Sequence, residues 1–403
     1  MKILQVLLFC CISICAHAQV KNNQLDEKLN AIYKTSKITG FGVSIFTSDQ
    51  ILYQKGFGYA DKETKKVYSE NTVQNIGSVS KTFIGIALMK AIEEGKLTVD
   101  TPINKILPLD IHHPRYPQTP ILVKHLATHT SSILDADAYE KSYVLEEKVA
   151  LSQENYTKKE LKELKALKSN QTYSLEAFLK NYLTLDGEWY EKKNFSKHQP
   201  GKRFEYSNVG SALLAYVIEI ATGVSFPEYT QQHILDPLSM KDSGWSYESV
   251  DPSKYASVYT EAGNKIPRYH LCTYPDGGFR SSIKDLSKYL QGLMKGYYGE
   301  DAILNTSSFQ QMMSPQLTKD QLNTKKETKD NYGFFWEVTT AGKMGHNGSD
   351  PGILTLMYFN KKDKIGAIFF MNTGLEEDQD ILKSVRSIWK EVKQYKSEYS
   401  KSL

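Results

Sequence analysis

A chain of 403 residues, 40% hydrophobic and 24% charged, has the material for a sizeable buried core. Its 50 basic and 46 acidic side chains leave a formal charge of +4. So small an excess, with no dense basic stripe, argues against a general nucleic-acid binder.

The opening stretch, MKILQVLLFCCISICAHAQ, is expected to lie outside the fold. Lys2 precedes an apolar run from Ile3 to Cys15, and Ala16-His17-Ala18 supplies an A-x-A cleavage site. Residues 1–18 therefore read as a secretory signal peptide, with export to the periplasm or the medium. The run is shorter than the roughly 20 apolar residues a membrane span needs, so no stable membrane anchor is expected. Cleavage after Ala18 leaves Cys272 as the only cysteine, which excludes an internal disulfide and a multi-cysteine zinc site. None of the histidines forms HExxH, and neither a metal nor an organic cofactor is expected.

Residues 19–403 read as one folded unit, without repeats or low-complexity linkers. Gln24 to Lys37 carries Leu25, Leu29, Ile32 and Tyr33 at helical spacing. Phe41–Phe46 and Ile51–Tyr59 flank Thr47-Ser-Asp-Gln50 as a β-hairpin. A second hairpin joins Gly352–Phe359 to Lys364–Met371, and an amphipathic helix covers Glu377–Tyr395. Between these ends, Lys81–Gly95, Ser211–Thr222 and Ile283–Leu293 read as helices. This pattern predicts an α/β (α+β) fold. An antiparallel sheet is flanked by N- and C-terminal helices, with an all-helical lobe inserted at about 78–275 and a groove between the lobes. Ala136–Lys197, rich in Lys and Glu, reads as a solvated surface helix pair, or alternatively as a lid over that groove.

Ser78-Val-Ser-Lys81 stands at the head of the first central helix. On its own it fits an N-cap serine with a first-turn lysine facing water. Residues three apart share a helix face, however, so Lys81 can reach Ser78. A serine hydroxyl is a poor nucleophile until a base takes its proton. Lysine serves as that base where burial or nearby positive charge disfavours its charged form. Further along, Tyr206-Ser-Asn208 places two polar side chains on one side of an extended loop, and Gly345-His346-Asn347-Gly348-Ser349 leads into a strand. No G-x-S-x-G elbow and no P-loop is present.

With these motifs in this order, the chain resembles the serine β-lactamase and penicillin-binding-protein superfamily. It is most like the branch of class C β-lactamases, D-alanyl-D-alanine carboxypeptidases, D-aminopeptidases and esterases. S-x-x-K is a known signature of this group. Leu126-Ala-Thr-His129-Thr-Ser-Ser132 resembles its helix-end segment, with Ser132 in place of the usual glycine. Tyr274 to Leu286 resembles its Gly-Gly loop, and Tyr332-Gly333-Phe-Phe-Trp336 its Tyr-Gly-x-x-Trp strand. The likeness spans nearly the whole mature chain and implies a β-lactamase/transpeptidase-like fold. It implies Ser78 as acylated nucleophile, Lys81 as its base and Tyr206 as proton shuttle. It gives Asn208, His346, Asn347, Gly348 and Ser349 to substrate binding, with the backbone N–H groups of Ser78 and Ser349 as oxyanion hole. The expected substrate is a small ester, an amide or a D-amino-acid peptide, including cell-wall-derived peptides. β-Lactamases usually carry Lys-Thr-Gly where this chain has His346-Asn347-Gly348. A histidine, mostly neutral at pH 7, anchors a carboxylate more weakly, which counts against efficient β-lactamase activity. His125 and His129 are expected to be structural. A non-catalytic relative that binds cell-wall peptides is the reading from another class, and the intact Ser78, Lys81 and Tyr206 set argues against it.

Overall fold

The structure, a computed structural model, describes residues 21–146, 151–300, 303–322, 330–375 and 377–402. The expected signal peptide falls outside these residues. Its central feature is an antiparallel sheet of eight strands: β1 (Gly40–Phe46), β2 (Ile51–Asp61), β3 (Lys66–Val67), β4 (Asp330–Tyr332), β5 (Glu337–Thr339), β6 (Lys343–Asp350), β7 (Ile353–Asn360) and β8 (Ile365–Met371). They lie in the order β4-β5-β6-β7-β8-β1-β2-β3. Both expected hairpins are present, as β1–β2 and β7–β8. The turn between β1 and β2 closes with Thr47 N–H donating to Gln50 O at 3.0 Å. What joins the two chain ends is the pairing of β1 with β8, with Val43 opposite Phe369.

Every residue of β1 and β8 is buried, because both faces of the sheet are covered. Side chains alternate across the pleat. Phe41, Val43, Ile45 and Phe369 pack with Leu25 and Leu29 of the helix at 21–35, and with Ile381, Val385 and Ile388 of the helix Gln379–Ser400. Phe46, Ile368 and Phe370 face the other way, into the main core built by helices Lys81–Glu93, Asn208–Thr222 and Ile283–Tyr297. Lys81–Glu93 is buried almost all round, as an apolar sequence without a polar face requires.

The insert departs from expectation. Helices Lys158–Ser169 and Leu175–Leu183 are there, but they are no freely solvated pair. Phe178, Tyr182, Trp189 and Phe195 are buried in the main core, with Tyr139 and Val144 at its start. Strand Tyr143–Leu145 pairs with Tyr269–Leu271, tying the insert to the body. The Tyr332–Trp336 segment is also not a continuous strand. Gly333 N–H donates to Trp336 O at 2.8 Å, which makes it the turn between β4 and β5. A Cβ on Gly333 would stand 2.0 Å from Met312 O, so only glycine fits this turn.

Ser132, standing where the resembled family has glycine, adopts φ +67°. That left-handed conformation costs a side chain about 1 kcal/mol. Its hydroxyl is buried without a hydrogen-bond partner among the described residues. Ser132→Gly is therefore expected to stabilise the protein by about 1 kcal/mol, read as a higher midpoint in urea unfolding.

Candidate active site

Ser78 lies in the short helical turn Gly77–Ser80 that feeds the helix Lys81–Glu93. Two close approaches fix this turn against β6. Gly77 has φ +54°, and a Cβ there would meet Ser349 N at 2.9 Å. A Cβ on Gly348 would stand 2.1 Å from Ile76 O and 2.9 Å from Ser78 N. Both positions must be glycine for the strand to touch the turn. The backbone N–H groups of Ser78 and Ser349 are thereby brought to the same small region. Ser80 supports the turn from behind: its hydroxyl donates to Gly77 O at 2.6 Å and accepts from Phe279 N at 3.1 Å.

Lys81 is fully buried. Its Nζ donates to Ser78 Oγ at 3.0 Å, to Asn208 Oδ1 at 2.6 Å and to the main-chain oxygen of Asp276 at 2.5 Å. Tyr206 stands over the same group, with Nζ 5.1 Å from its ring centroid. The Tyr206 ring also stacks on His129, with centroids 4.4 Å apart. Tyr206 is 38% exposed, whereas Ser78 is half-buried, so this edge of the cluster opens to solvent. Asn208 opens its helix behind the N-cap Ser207, whose Oγ accepts from Gly210 N at 2.9 Å. The loop-to-helix junction thus brings Tyr206 and Asn208 to the same lysine, with Asn208 in the first turn of the helix rather than in an extended loop.

The third motif divides between the two faces of its strand. His346 is buried, with its ring centroid 6.3 Å from that of Tyr206. Burial, assisted by the charge on Lys81, pushes it down to about 4, so it is neutral at pH 7. Asn347, expected to bind substrate, points away. Its Nδ2 donates to Glu337 Oε1 at 3.1 Å and to Tyr358 Oη at 3.4 Å on neighbouring strands. The alternation of a strand puts His346 and Gly348 on one face and Asn347 on the other, which removes the Asn347 side chain from the site. The side chain of Ser349 is exposed, and only its backbone enters the geometry above.

His125 and His129 each accept a hydrogen bond from a backbone N–H. His125 is pushed down to about 4, chiefly by burial, and its Nδ1 accepts from Leu122 N at 3.2 Å. His129 is held well below its ordinary value by burial first and Lys81 second, and its Nδ1 accepts from Ser207 N at 3.2 Å. Held neutral, His129 adds no positive charge beside Lys81.

Three carboxyl groups, Asp276 buried and Asp135 and Asp350 half-buried, lie around Lys81, and none stood out in the sequence. Asp135 caps the Asn208 helix, accepting from Asn208 N at 2.8 Å, Val209 N at 3.0 Å and the Ser207 hydroxyl at 3.2 Å. Burial raises it despite these bonds. Asp276 accepts from Tyr139 Oη at 3.2 Å, and burial pushes it up to about 7. Asp350 accepts from Tyr143 Oη at 2.7 Å and from Asn75 Nδ2 at 3.1 Å, and burial pushes it up to about 6.

A consequence for stability follows from Asp276. Its folded-state value of about 7 lies above the unfolded carboxylate value, so the folded protein holds the proton longer. Stability from this group is full below the unfolded value near 4 and is lost as pH rises towards 7. Asp276→Asn removes that loss. Relative to wild type, the variant is expected to gain stability between pH 4 and pH 8, by at most about 4 kcal/mol. Urea unfolding of both proteins at the two pH values measures it, and an equal difference at both would contradict the assignment.

The β-lactamase family model matches residues 25–387. PbpX of Bacillus subtilis is 26% identical over 362 residues, covering 88% of this chain and 75% of that protein. The octameric penicillin-binding protein homologue from Pyrococcus abyssi superposes with a TM-score of 0.66 at 26% identity, covering 87% of this chain and 73% of that one. The D-amino acid amidase from Ochrobactrum anthropi SV3 shares the fold at 20% identity, with a TM-score of 0.65 over 92% of this chain and 99% of that one. With a match across almost the whole described chain, this protein belongs to the β-lactamase family of serine hydrolases.

Proposed function

We propose that the chain is an exported hydrolase that forms an acyl-enzyme on Ser78 and acts on a small ester, an amide or a D-amino-acid peptide. The observation that carries this reading is the 3.0 Å contact between the buried Nζ of Lys81 and Ser78 Oγ, beside a solvent-facing Tyr206. Export rests on the sequence of residues 1–18 alone.

In the proposed reaction, Ser78 Oγ attacks the substrate carbonyl carbon and its proton passes to Lys81 or Tyr206. Two of the three Nζ contacts are to carbonyl oxygens, which only accept, so the third, with the Ser78 hydroxyl, is the one through which the amine can take the serine proton. Tyr206, whose ring centroid lies 5.1 Å from Nζ and which is exposed, is the group proposed to carry the proton to the leaving group. The oxyanion rests between the N–H groups of Ser78 and Ser349. The leaving group departs protonated, and water then attacks the acyl carbon to release the acid and restore Ser78.

The neutral His346 disfavours a true β-lactamase, because it offers no fixed charge to a β-lactam carboxylate. Turnover of p-nitrophenyl butyrate, D-alanine p-nitroanilide and benzylpenicillin by one preparation tests the reading. Faster hydrolysis of the ester or the D-anilide than of the penicillin is expected. Penicillin consumed fastest would restore the β-lactamase assignment.

A further inference from the structure

The two backbone donors of the proposed oxyanion hole come from different parts of the chain. Ser78 belongs to the turn before the central helix and Ser349 to the end of β6. Gly77 and Gly348 let these segments touch, but they contribute no side chain to hold the spacing. The spacing is held two residues beyond each glycine, at Asn75 and Asp350.

Asn75 lies two residues before Gly77, and its Oδ1 accepts from Gly77 N at 2.8 Å. Its Nδ2 donates to Asp350 Oδ2 at 3.1 Å, and Asp350 directly follows Ser349. One side-chain hydrogen bond therefore links the nucleophile turn to the end of β6, with a member adjacent or nearly adjacent to each donor. The carboxylate is also packed against Gly277, where a Cβ would stand 3.2 Å from Asp350 Oδ2.

Two tyrosines clamp this link. Tyr143 Oη donates to Asp350 Oδ1 at 2.7 Å. Tyr269 Oη donates to Pro351 O at 3.0 Å and accepts from Asn75 Nδ2 at 3.4 Å. Both belong to the small ribbon formed by Tyr143–Leu145 and Tyr269–Leu271, the one through which the charged insert meets the body. Tyr269 is itself anchored by Arg280, whose Nη2 donates to Tyr269 O at 3.1 Å.

We infer that Asn75, Asp350 and Tyr143 are positioning residues that set the distance between the Ser78 and Ser349 amides, so that the charged insert, through Tyr143, governs acyl transfer. The inference rests on the acyl-enzyme reading above. None of the three hydrogen-bonds Ser78 or Lys81 among the described residues, so they act on the reaction only through the backbone. Oxyanion stabilisation depends on donors about 2.7–3.1 Å from the developing charge, and it is lost steeply when one donor drifts. A merely structural role for the Tyr143–Asp350 pair would instead lower the stability of the fold and leave the folded protein's chemistry unchanged.

Phenylboronic acid distinguishes the two, since its boron adds a serine oxygen and becomes a tetrahedral anion like the one the hole must hold. Its affinity for the mature protein is measured by calorimetry for wild type, Ser78→Ala, Tyr143→Phe and Asp350→Asn, beside thermal melts and kcat and KM for p-nitrophenyl butyrate. Tyr143→Phe deletes one hydroxyl and is the milder variant should Asp350→Asn fold poorly. Tyr143→Phe and Asp350→Asn are expected to weaken boronate binding and to lower kcat by about tenfold to a hundredfold, with KM within about twofold of wild type. Wild-type affinity and kcat in both variants, whatever their melting temperatures, would overturn the inference while Ser78→Ala still abolished binding. Boronate binding that Ser78→Ala leaves intact, or that wild type lacks, would overturn the acyl-enzyme reading itself, and this inference with it.

Discussion

Ser78→Ala is expected to remove hydrolysis, by about ten-thousand-fold or more, and to leave the fold intact. The size follows from deleting the only atom that forms the covalent intermediate. Residual rate over water comes from binding and the oxyanion hole alone. The fold is expected to survive because, among the described residues, the hydroxyl has one side-chain hydrogen bond, that with Lys81. The lysine retains Asn208 Oδ1 and Asp276 O. The turn is held by Gly77, Ser80 and Asn75, none of which the substitution touches. Circular dichroism and a urea midpoint within about 1 kcal/mol of wild type, beside absent turnover, are the expected pair of results. A variant that hydrolyses at the wild-type rate would remove Ser78 from the chemistry.

Lys81→Met carries the second-largest expected effect. Methionine fills a similar volume in a fully buried position without a proton to give or take. Loss of acid–base assistance is worth about a hundred- to ten-thousand-fold in kcat. Stability is expected to shift in the direction set by the carboxyl groups. Asp135, Asp276 and Asp350 each sense the lysine's charge, and each is already raised by burial. Without the cation their ionised forms lose a stabilising neighbour, so the variant is expected to lose stability more at pH 8 than at pH 5. Parallel kcat and urea measurements at those two values check both halves.

Much of this fold could be read locally. The hairpins β1–β2 and β7–β8 are runs of apolar residues around polar turns. The central helices Lys81–Glu93, Asn208–Thr222 and Ile283–Tyr297 begin within three residues of where periodicity put them. The pairing of β1 with β8, which unites the chain ends, joins segments some three hundred residues apart and has no local signal. The insert was misread for a different reason. Its many Lys and Glu residues lie on the surface and mask Tyr139, Tyr182, Trp189 and Phe195, which are buried. Asn347 was assigned to substrate binding from a triplet motif, although strand alternation, applied to His346 and Gly348, already turns it to the far face. Asp135, Asp276 and Asp350 look like ordinary loop acids in the sequence. Only their gathering around Lys81 sets them apart.

The central claim is a covalent acyl-enzyme on Ser78. Its most direct test is the intact mass of the mature protein after exposure to benzylpenicillin and to p-nitrophenyl butyrate, for wild type and Ser78→Ala. A wild-type protein heavier by one acyl group with at least one of these reagents, and an unmodified Ser78→Ala, are the expected results. An adduct of equal mass and yield on both proteins, or ester hydrolysis that survives in Ser78→Ala, would contradict it.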